Sequence, residues 1–222
     1  MNTALHVAVD SPRMLRLAAS LIAILCVPAK YASAESTSTA NESGVTLYGG
    51  GRFGGSVTDS NTNASIELKD GSSFGVAVDI GLDLSRQIEL FYSQQDTAVT
   101  SGAFSLQSAN TGLTLHNYHI GGTAYVDEIG SGLYFMGGIG GTTATPKRSG
   151  LNSETFFSGN LGFGWMLPLG KHVAFRFEAR GYGLVLNGNG ALFCGGAAGC
   201  TVAIKGRGLF YGEALGGVTM RF

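Results

Sequence analysis

Arg176, Glu178 and Arg180 stand at alternate positions of one stretch, V-A-F-R-F-E-A-R-G-Y-G at 173–183. The intervening parity carries Val173, Phe175, Phe177 and Ala179. Alternation at period 2 is the mark of a strand with two unlike faces, because a helix would mix the two sets around its circumference. Side chains of opposite sign on one strand face can pair with each other, pair across to other strands, or line a path for a charged solute. The same parity test on the other alternating segments adds Arg52, Arg221, Asp79, Glu89 and Glu213 to the charge-bearing face, so Arg52, Arg176, Arg180 and Arg221 oppose Asp79, Glu89, Glu178 and Glu213, four of each sign.

Acid–base or nucleophilic chemistry would need a histidine. His119 falls on the charged face, and neighbouring segments offer Ser93, Tyr134 and Glu89; His116 lies nearer the segment end and His172 in a turn. A serine nucleophile needs a base and an orienting acid within hydrogen-bond reach, and no G-x-S-x-G elbow is present. A single inward histidine also serves as a hydrogen-bonded filler. Gly49, Gly51 and Gly54 match G-x-G-x-x-G, but a dinucleotide site needs a helix next, and a polar Ser/Thr/Asn/Asp stretch follows. Neither cofactor nor metal is expected.

The elements that carry these residues form a series of alternating segments at 44–54, 73–82, 88–94, 113–126, 132–141, 155–167, 173–183 and 209–222. Long polar connections at 55–72, 95–112, 142–154 and 184–206 alternate with short turns at 83–87, 127–131 and 168–172. Eight segments with long and short connections in alternation are the pattern of an all-β, eight-stranded antiparallel up-and-down transmembrane β-barrel. Segments of about ten residues cross a bilayer when tilted. Its apolar parity would face lipid and its charges the lumen. A soluble barrel would bury the apolar parity instead, but here that parity carries the aromatics while charges sit beside large side chains on the other. A one-residue slip would turn arginines to lipid at about 2–4 kcal/mol each near mid-bilayer, so the register is strongly specified. Leu113 and Leu115 lie on the wrong parity, which implies either a bulge or a segment end above the membrane.

Composition agrees. The 222 residues include 36 glycines and only 13% charged residues, suited to a closely packed, bending sheet. A formal net charge of −1 without a basic block argues against nucleic-acid binding. Residues 1–34 read as a secretory signal peptide: Arg13 and Arg16, the apolar run from Leu17 to Pro28, then Ala32-Ser33-Ala34 as the cleavage site. Twelve apolar residues fall short of the ~20 a spanning helix needs. Met14 is an alternative start. Removing Arg13, Arg16 and Lys30 leaves 11 of 14 basic residues, and removing Asp10 leaves 14 of 15 acidic ones, a net of −3. Residues 35–43 form a polar lead-in and 44–222 the barrel. Cleavage leaves Cys194 and Cys200, an even pair that reads as a disulfide in an exported protein; a metal site would lack nearby His, Asp or Glu.

The chain ends in Phe222, with Val218 and Met220 at the alternate positions before it. This resembles the C-terminal strand of bacterial outer-membrane proteins that the barrel-assembly machinery reads. With eight segments and a signal peptide, the chain resembles the small outer-membrane β-barrel family, which includes the OmpA transmembrane domain, OmpX and the neisserial opacity proteins. The resemblance covers roughly 44–222 and implies residence in the bacterial outer membrane among lipid and lipopolysaccharide, with periplasmic chaperones and the assembly machinery as partners. Long loops on a rigid scaffold are where recognition lives, and the tip Pro146-Lys147-Arg148 suits an acidic surface ligand. No wall-binding domain is expected after the barrel. The expected role is structural or surface-interacting, with a side-chain-filled lumen. A narrow low-conductance channel is the alternative, and a lipid A acyl-editing enzyme the third reading.

Overall fold

The computed structural model describes residues 42–59, 65–101, 111–147, 152–186, 191–195, 199–205 and 208–222. The segment expected to be a signal peptide, with Ala32 and Ala34, and most of the expected lead-in lie outside the described residues. In chain order the strands are β1 (Gly44–Phe53), β2 (Ser56–Asp59), β3 (Ser65–Leu68), β4 (Gly71–Gly81), β5 (Arg86–Ser101), β6 (Thr111–Tyr125), β7 (Gly132–Pro146), β8 (Glu154–Pro168), β9 (Val173–Val185), β10 (Ala191–Gly195), β11 (Gly199–Lys205) and β12 (Gly208–Arg221). Among the described residues, eight of them close a ring of antiparallel pairs, β1–β4–β5–β6–β7–β8–β9–β12 and back to β1. Closure leaves the wall without an edge, which backbone groups in lipid require.

Each segment read from the sequence is one strand of this ring, with the expected faces. Leu47, Phe74, Ile120, Phe163, Trp165 and Phe177 point outward and are exposed, while Thr46, Ala77, Tyr134 and Tyr182 point inward and are buried. Only small side chains fit beneath the bulky inward ones. A Cβ at Gly164 would lie 2.3 Å from the Tyr134 hydroxyl, and one at Gly217 would lie 2.7 Å from the Tyr48 ring.

The strands run further than the sequence pattern implies. β5 and β6 continue into the expected loop 95–112, and β7 and β8 into 142–154. The β5–β6 register is continuous from Arg86↔Ala124 to Val99↔Thr111, so no bulge precedes Asn117. Leu113 and Leu115 point inward with Ala144, under Leu68 and Phe156. On the outer surface at that level stand Asp96, Thr114, Thr143 and Thr155. The pattern inverts where the wall leaves the apolar belt: polar outside, apolar inside, as in a soluble barrel. Tyr92, Tyr118, His116 and Phe74 cluster at the boundary, with the Tyr92 and Tyr118 ring centroids 5.1 Å apart.

Two of the long connections contain strands. β2–β3 and β10–β11 are hairpins, and the order β10–β11–β2–β3–β5 joins them into an extension of the wall above the belt. At the opposite end the turns are short. Leu82 N donates to Arg86 O at 2.8 Å, and Leu169 N to Val173 O at 2.9 Å. Gly130 and Gly132, at φ of +100° and +78°, let the chain reverse between β6 and β7.

Candidate functional site: a charge-filled lumen

Period-2 alternation on β1, β4, β5, β9 and β12 brings seven ionisable side chains into the barrel interior: Arg52, Asp79, Glu89, Arg176, Glu178, Arg180 and Glu213 are all buried. Arg176 is the hub nearest the short-turn end. Its Nη1 donates to Asp79 Oδ2 at 2.5 Å and its Nη2 to Glu89 Oε2 at 3.1 Å. Its Nε donates to the Tyr134 hydroxyl at 2.8 Å, with Glu178 Oε1 equally near. Arg180 clamps Glu89 with two bonds, Nη1 to Oε1 at 2.8 Å and Nη2 to Oε2 at 2.9 Å. Its Nε donates to Glu178 Oε2 at 2.6 Å, and its guanidinium lies 3.7 Å from the Phe91 centroid. Charge-assisted and bidentate bonds of this kind are the strong ones.

One layer up, Arg52 Nη2 donates to Glu213 Oε1 at 2.8 Å and to Ser93 Oγ at 2.7 Å. The Arg52 guanidinium lies beside the stacked Tyr182 and Tyr211 rings, 5.5 and 5.2 Å from their centroids. Tyr182 donates to Glu213, and the Tyr48 and Tyr134 hydroxyls donate to Glu178 Oε1 at 2.6 and 2.7 Å. The tyrosines share the charged parity in the sequence, yet their role as donors to the carboxylates shows only in the fold. Above them Asn117 Oδ1 accepts from Tyr211 at 2.8 Å and from Thr142 at 2.7 Å.

His119 is buried, with Nε2 at 2.9 Å from Ser158 Oγ. Among the described residues its Nδ1 has no partner, so none of their acids orients the ring as a triad would require. Ser158, on β8, is not among the neighbours the sequence offered. Of those, Ser93 is bonded to Arg52, Tyr134 to Arg176 and Glu178, and Glu89 to two arginines. His116 is on the outer wall, 3.0 Å from the Tyr92 hydroxyl, and His172 lies in a turn beside Arg221 O.

Arg221 differs from the sequence reading. It stands at the short-turn mouth, its Nη1 3.2 Å from Glu42 Oε2 and its Nη2 2.5 Å from Gly170 O. β12 is ending there, so its inward parity meets the lead-in rather than the opposite wall. The expected balance of four against four becomes three buried guanidinium groups against four buried carboxylates. Gln87 Nε2 donates to Glu42 O at 2.8 Å and helps close the mouth. The far end is closed by the apolar side chains Leu113, Leu115, Leu184, Leu186 and Leu209, with Leu68 and Phe156 packed against them. Gly49 and Gly51 lie inside β1, and a strand, β2, follows Gly54, so the glycine motif opens no helix.

Lys147 is paired with Asp96 at 2.9 Å, which leaves the proposed basic loop tip partly neutralised; Arg148 lies outside the described residues. Cys194 and Cys200 are register partners in β10–β11, described by their backbone. Val218 and Met220 face outward on β12, and Phe222 beyond it is exposed too. In the turn before β5, burial would raise the Asp83 carboxyl, but the Arg86 guanidinium and the Ser85 and Arg86 N–H groups outweigh it and hold it below the usual carboxylate range. Among the described residues, no group of three or more His, Cys, Asp or Glu is arranged to hold a metal.

The family described as outer membrane protein beta-barrel domain matches residues 17–193. The chain belongs to this family. It is an outer-membrane β-barrel, and its site is the bacterial outer membrane, so the long connections face outward from the cell and the short turns the periplasm. Solved outer-membrane barrels are similar in fold. Ail, the attachment invasion locus protein of Yersinia pestis, solved with the heparin analogue sucrose octasulfate, is 14% identical with a TM-score of 0.47, covering 83% of this chain and 100% of that one. OprG from Pseudomonas aeruginosa is 14% identical, TM-score 0.47, covering 82% and 98%. Neisserial surface protein A is 15% identical, TM-score 0.47, covering 82% and 100%. No curated protein matches the sequence.

Proposed function

We propose that this outer-membrane barrel is a closed scaffold, not an enzyme, whose lumen is filled by paired charges and whose long loops meet partners outside the cell. The observation that carries the reading is the continuous network from Asp79 through Arg176, Glu89, Arg180 and Glu178, sealed above by leucines and below by Arg221–Glu42. An eight-stranded interior is just wide enough for side chains to fill. Breaking such a network to pass an ion would expose buried charge, which is costly.

The loop sheet β10–β11–β2–β3, continuous with β5, gives the surface a platform for recognition. Opposed Cys194 and Cys200 fit a disulfide that fixes its outer hairpin. The belt is surrounded by lipid and lipopolysaccharide, and outward Val218, Met220 and Phe222 offer a face for the barrel-assembly machinery during insertion after delivery by periplasmic chaperones.

A narrow channel is the second reading. It is favoured by polar atoms without partners inside the barrel, Arg52 Nε and Nη1, His119 Nδ1 and Asn160 Oδ1. The lipid A acyl-editing reading stands third, because Ser158 and His119 are enclosed in the lumen away from acyl chains. Planar-bilayer recording of the refolded protein beside Arg180→Ala separates the first two. Silence in both, with heat-modifiable gel migration showing a folded barrel, supports the closed scaffold. A steady wild-type conductance altered by the substitution overturns it in favour of a channel.

A further inference from the structure

The buried charge of the lumen does not cancel. Three guanidinium groups, Arg52, Arg176 and Arg180, face four carboxylates, Asp79, Glu89, Glu178 and Glu213, and Arg221 is engaged by Glu42 at the mouth. His119 is bonded to Ser158 Oγ and to none of the four carboxylates.

The surplus has an address. Both oxygens of Glu89 accept from Arg180, and both oxygens of Glu178 and of Glu213 accept from arginine, tyrosine or serine donors. Asp79 has its guanidinium partner on Oδ2, and among the described residues its buried Oδ1 has no partner. Asp79 also lines a cavity. A small vestibule of about 10 Å³, room for roughly one water-sized sphere, lies at the periplasmic mouth, bounded by Asp79, Gln87, Thr219, Ser43, Glu42 and Arg221 with Ile129 and Met166. Glu89, Glu178 and Glu213 are not among its lining residues.

We propose that this vestibule binds one small monovalent cation, a proton or an alkali ion, at Asp79 Oδ1, taken up from the periplasm. A divalent ion is a poor fit, because calcium takes 6–8 oxygen ligands and usually several carboxylates, whereas one carboxylate oxygen is free here. The charged and titratable groups around Asp79 are Glu89 from β5, Tyr125 from β6, Tyr134 from β7, Arg176 and Glu178 from β9, Arg221 from β12 and Glu42 from the lead-in. Arg176 holds one side of the carboxylate, and the bound cation completes the other. The Arg221–Glu42 pair lines the same vestibule.

The inference rests on the closed-lumen reading, so its test reads stability, which stays distinct from the conductance result. The thermal midpoint of the folded full barrel in detergent is measured at fixed ionic strength in sodium, potassium and N-methylglucamine chlorides across a pH series, for wild type and Asp79→Asn. An alkali-ion site gives a wild-type midpoint roughly 2–4 °C higher in sodium or potassium, for an ion at a few times its Kd, and no such gap in the variant. A proton site gives no cation gap, a wild-type midpoint that falls as pH rises, a flat variant, and a protonated-carboxyl infrared band that the variant lacks. Should Asp79→Asn not fold, the wild-type cation gap and infrared band decide alone. Equal midpoints in all three salts with no protonated-carboxyl band overturn the proposal.

Discussion

The Tyr134 ring occupies the space that Gly164 leaves empty on the neighbouring strand. A Cβ at Gly164 would stand 2.3 Å from the Tyr134 hydroxyl and 2.7 Å from the Phe177 carbonyl. That hydroxyl joins Arg176 to Glu178, so the fit of one glycine against one ring positions the centre of the network. Gly164→Ala is therefore expected to destabilise the barrel by about 1–3 kcal/mol through overpacking. The measurement is urea unfolding followed by the fluorescence of Trp165, the chain's one tryptophan.

Arg176 faces three carboxylates, Asp79, Glu89 and Glu178. Arg176→Met strips Asp79 of its guanidinium partner and leaves Glu89 and Glu178 to Arg180, and is expected to cost about 3–5 kcal/mol. Adding Asp79→Asn removes one of the stranded charges. The double variant should recover part of the loss, with a coupling of about 0.5–3 kcal/mol in a double-mutant cycle. Additive losses would show that the pair does not act as a unit.

Ile139 and Thr143 share the outer parity of β7, one in the belt and one above it. Ile139→Arg is expected to cost about 2–4 kcal/mol, and Thr143→Arg about 0–1 kcal/mol. Folding yield into lipid vesicles and the urea midpoint read the difference. Equal costs would place the membrane boundary elsewhere.

Asp83 gives a pH dependence at the periplasmic turn. Its carboxyl is held below its ordinary value, so its contribution to the turn is present above that ordinary value. It is lost as pH falls through the lowered one. Amide exchange at Ser85 and Arg86 should accelerate in strong acid. In Asp83→Asn it should be fast, and little changed by pH beyond intrinsic chemistry.

Cys194 and Cys200 should resist maleimide in the exported protein and react after reduction. The hairpin that carries them lies outside the barrel ring. Replacing both with serine is therefore expected to change barrel stability by no more than about 0.5 kcal/mol.

The ring and its faces were legible in the sequence because a lipid-spanning strand leaves little freedom. Each outward position within the belt must be apolar or small, so Phe163, Trp165 and Leu167 alternate with Gly164 and Met166 without interruption. Where the wall rises out of the lipid that constraint ends and the pattern reverses. Leu113 and Leu115 therefore looked misplaced, and the outer ends of β5 to β8 read as loop.

Local sequence determined the number of ring strands, their register against the bilayer and, within the apolar belt, which face of each strand enters the lumen, because period-2 alternation is a property of each strand alone. The tertiary structure decided how those side chains meet. Arg52 and Glu213 are far apart in the chain and become neighbours only when β1 closes on β12. Parity also could not tell that Arg221 stops at the mouth and pairs with Glu42, since depth along the barrel axis depends on where every strand ends. That one position turns an apparently balanced interior into one with a surplus carboxylate at Asp79.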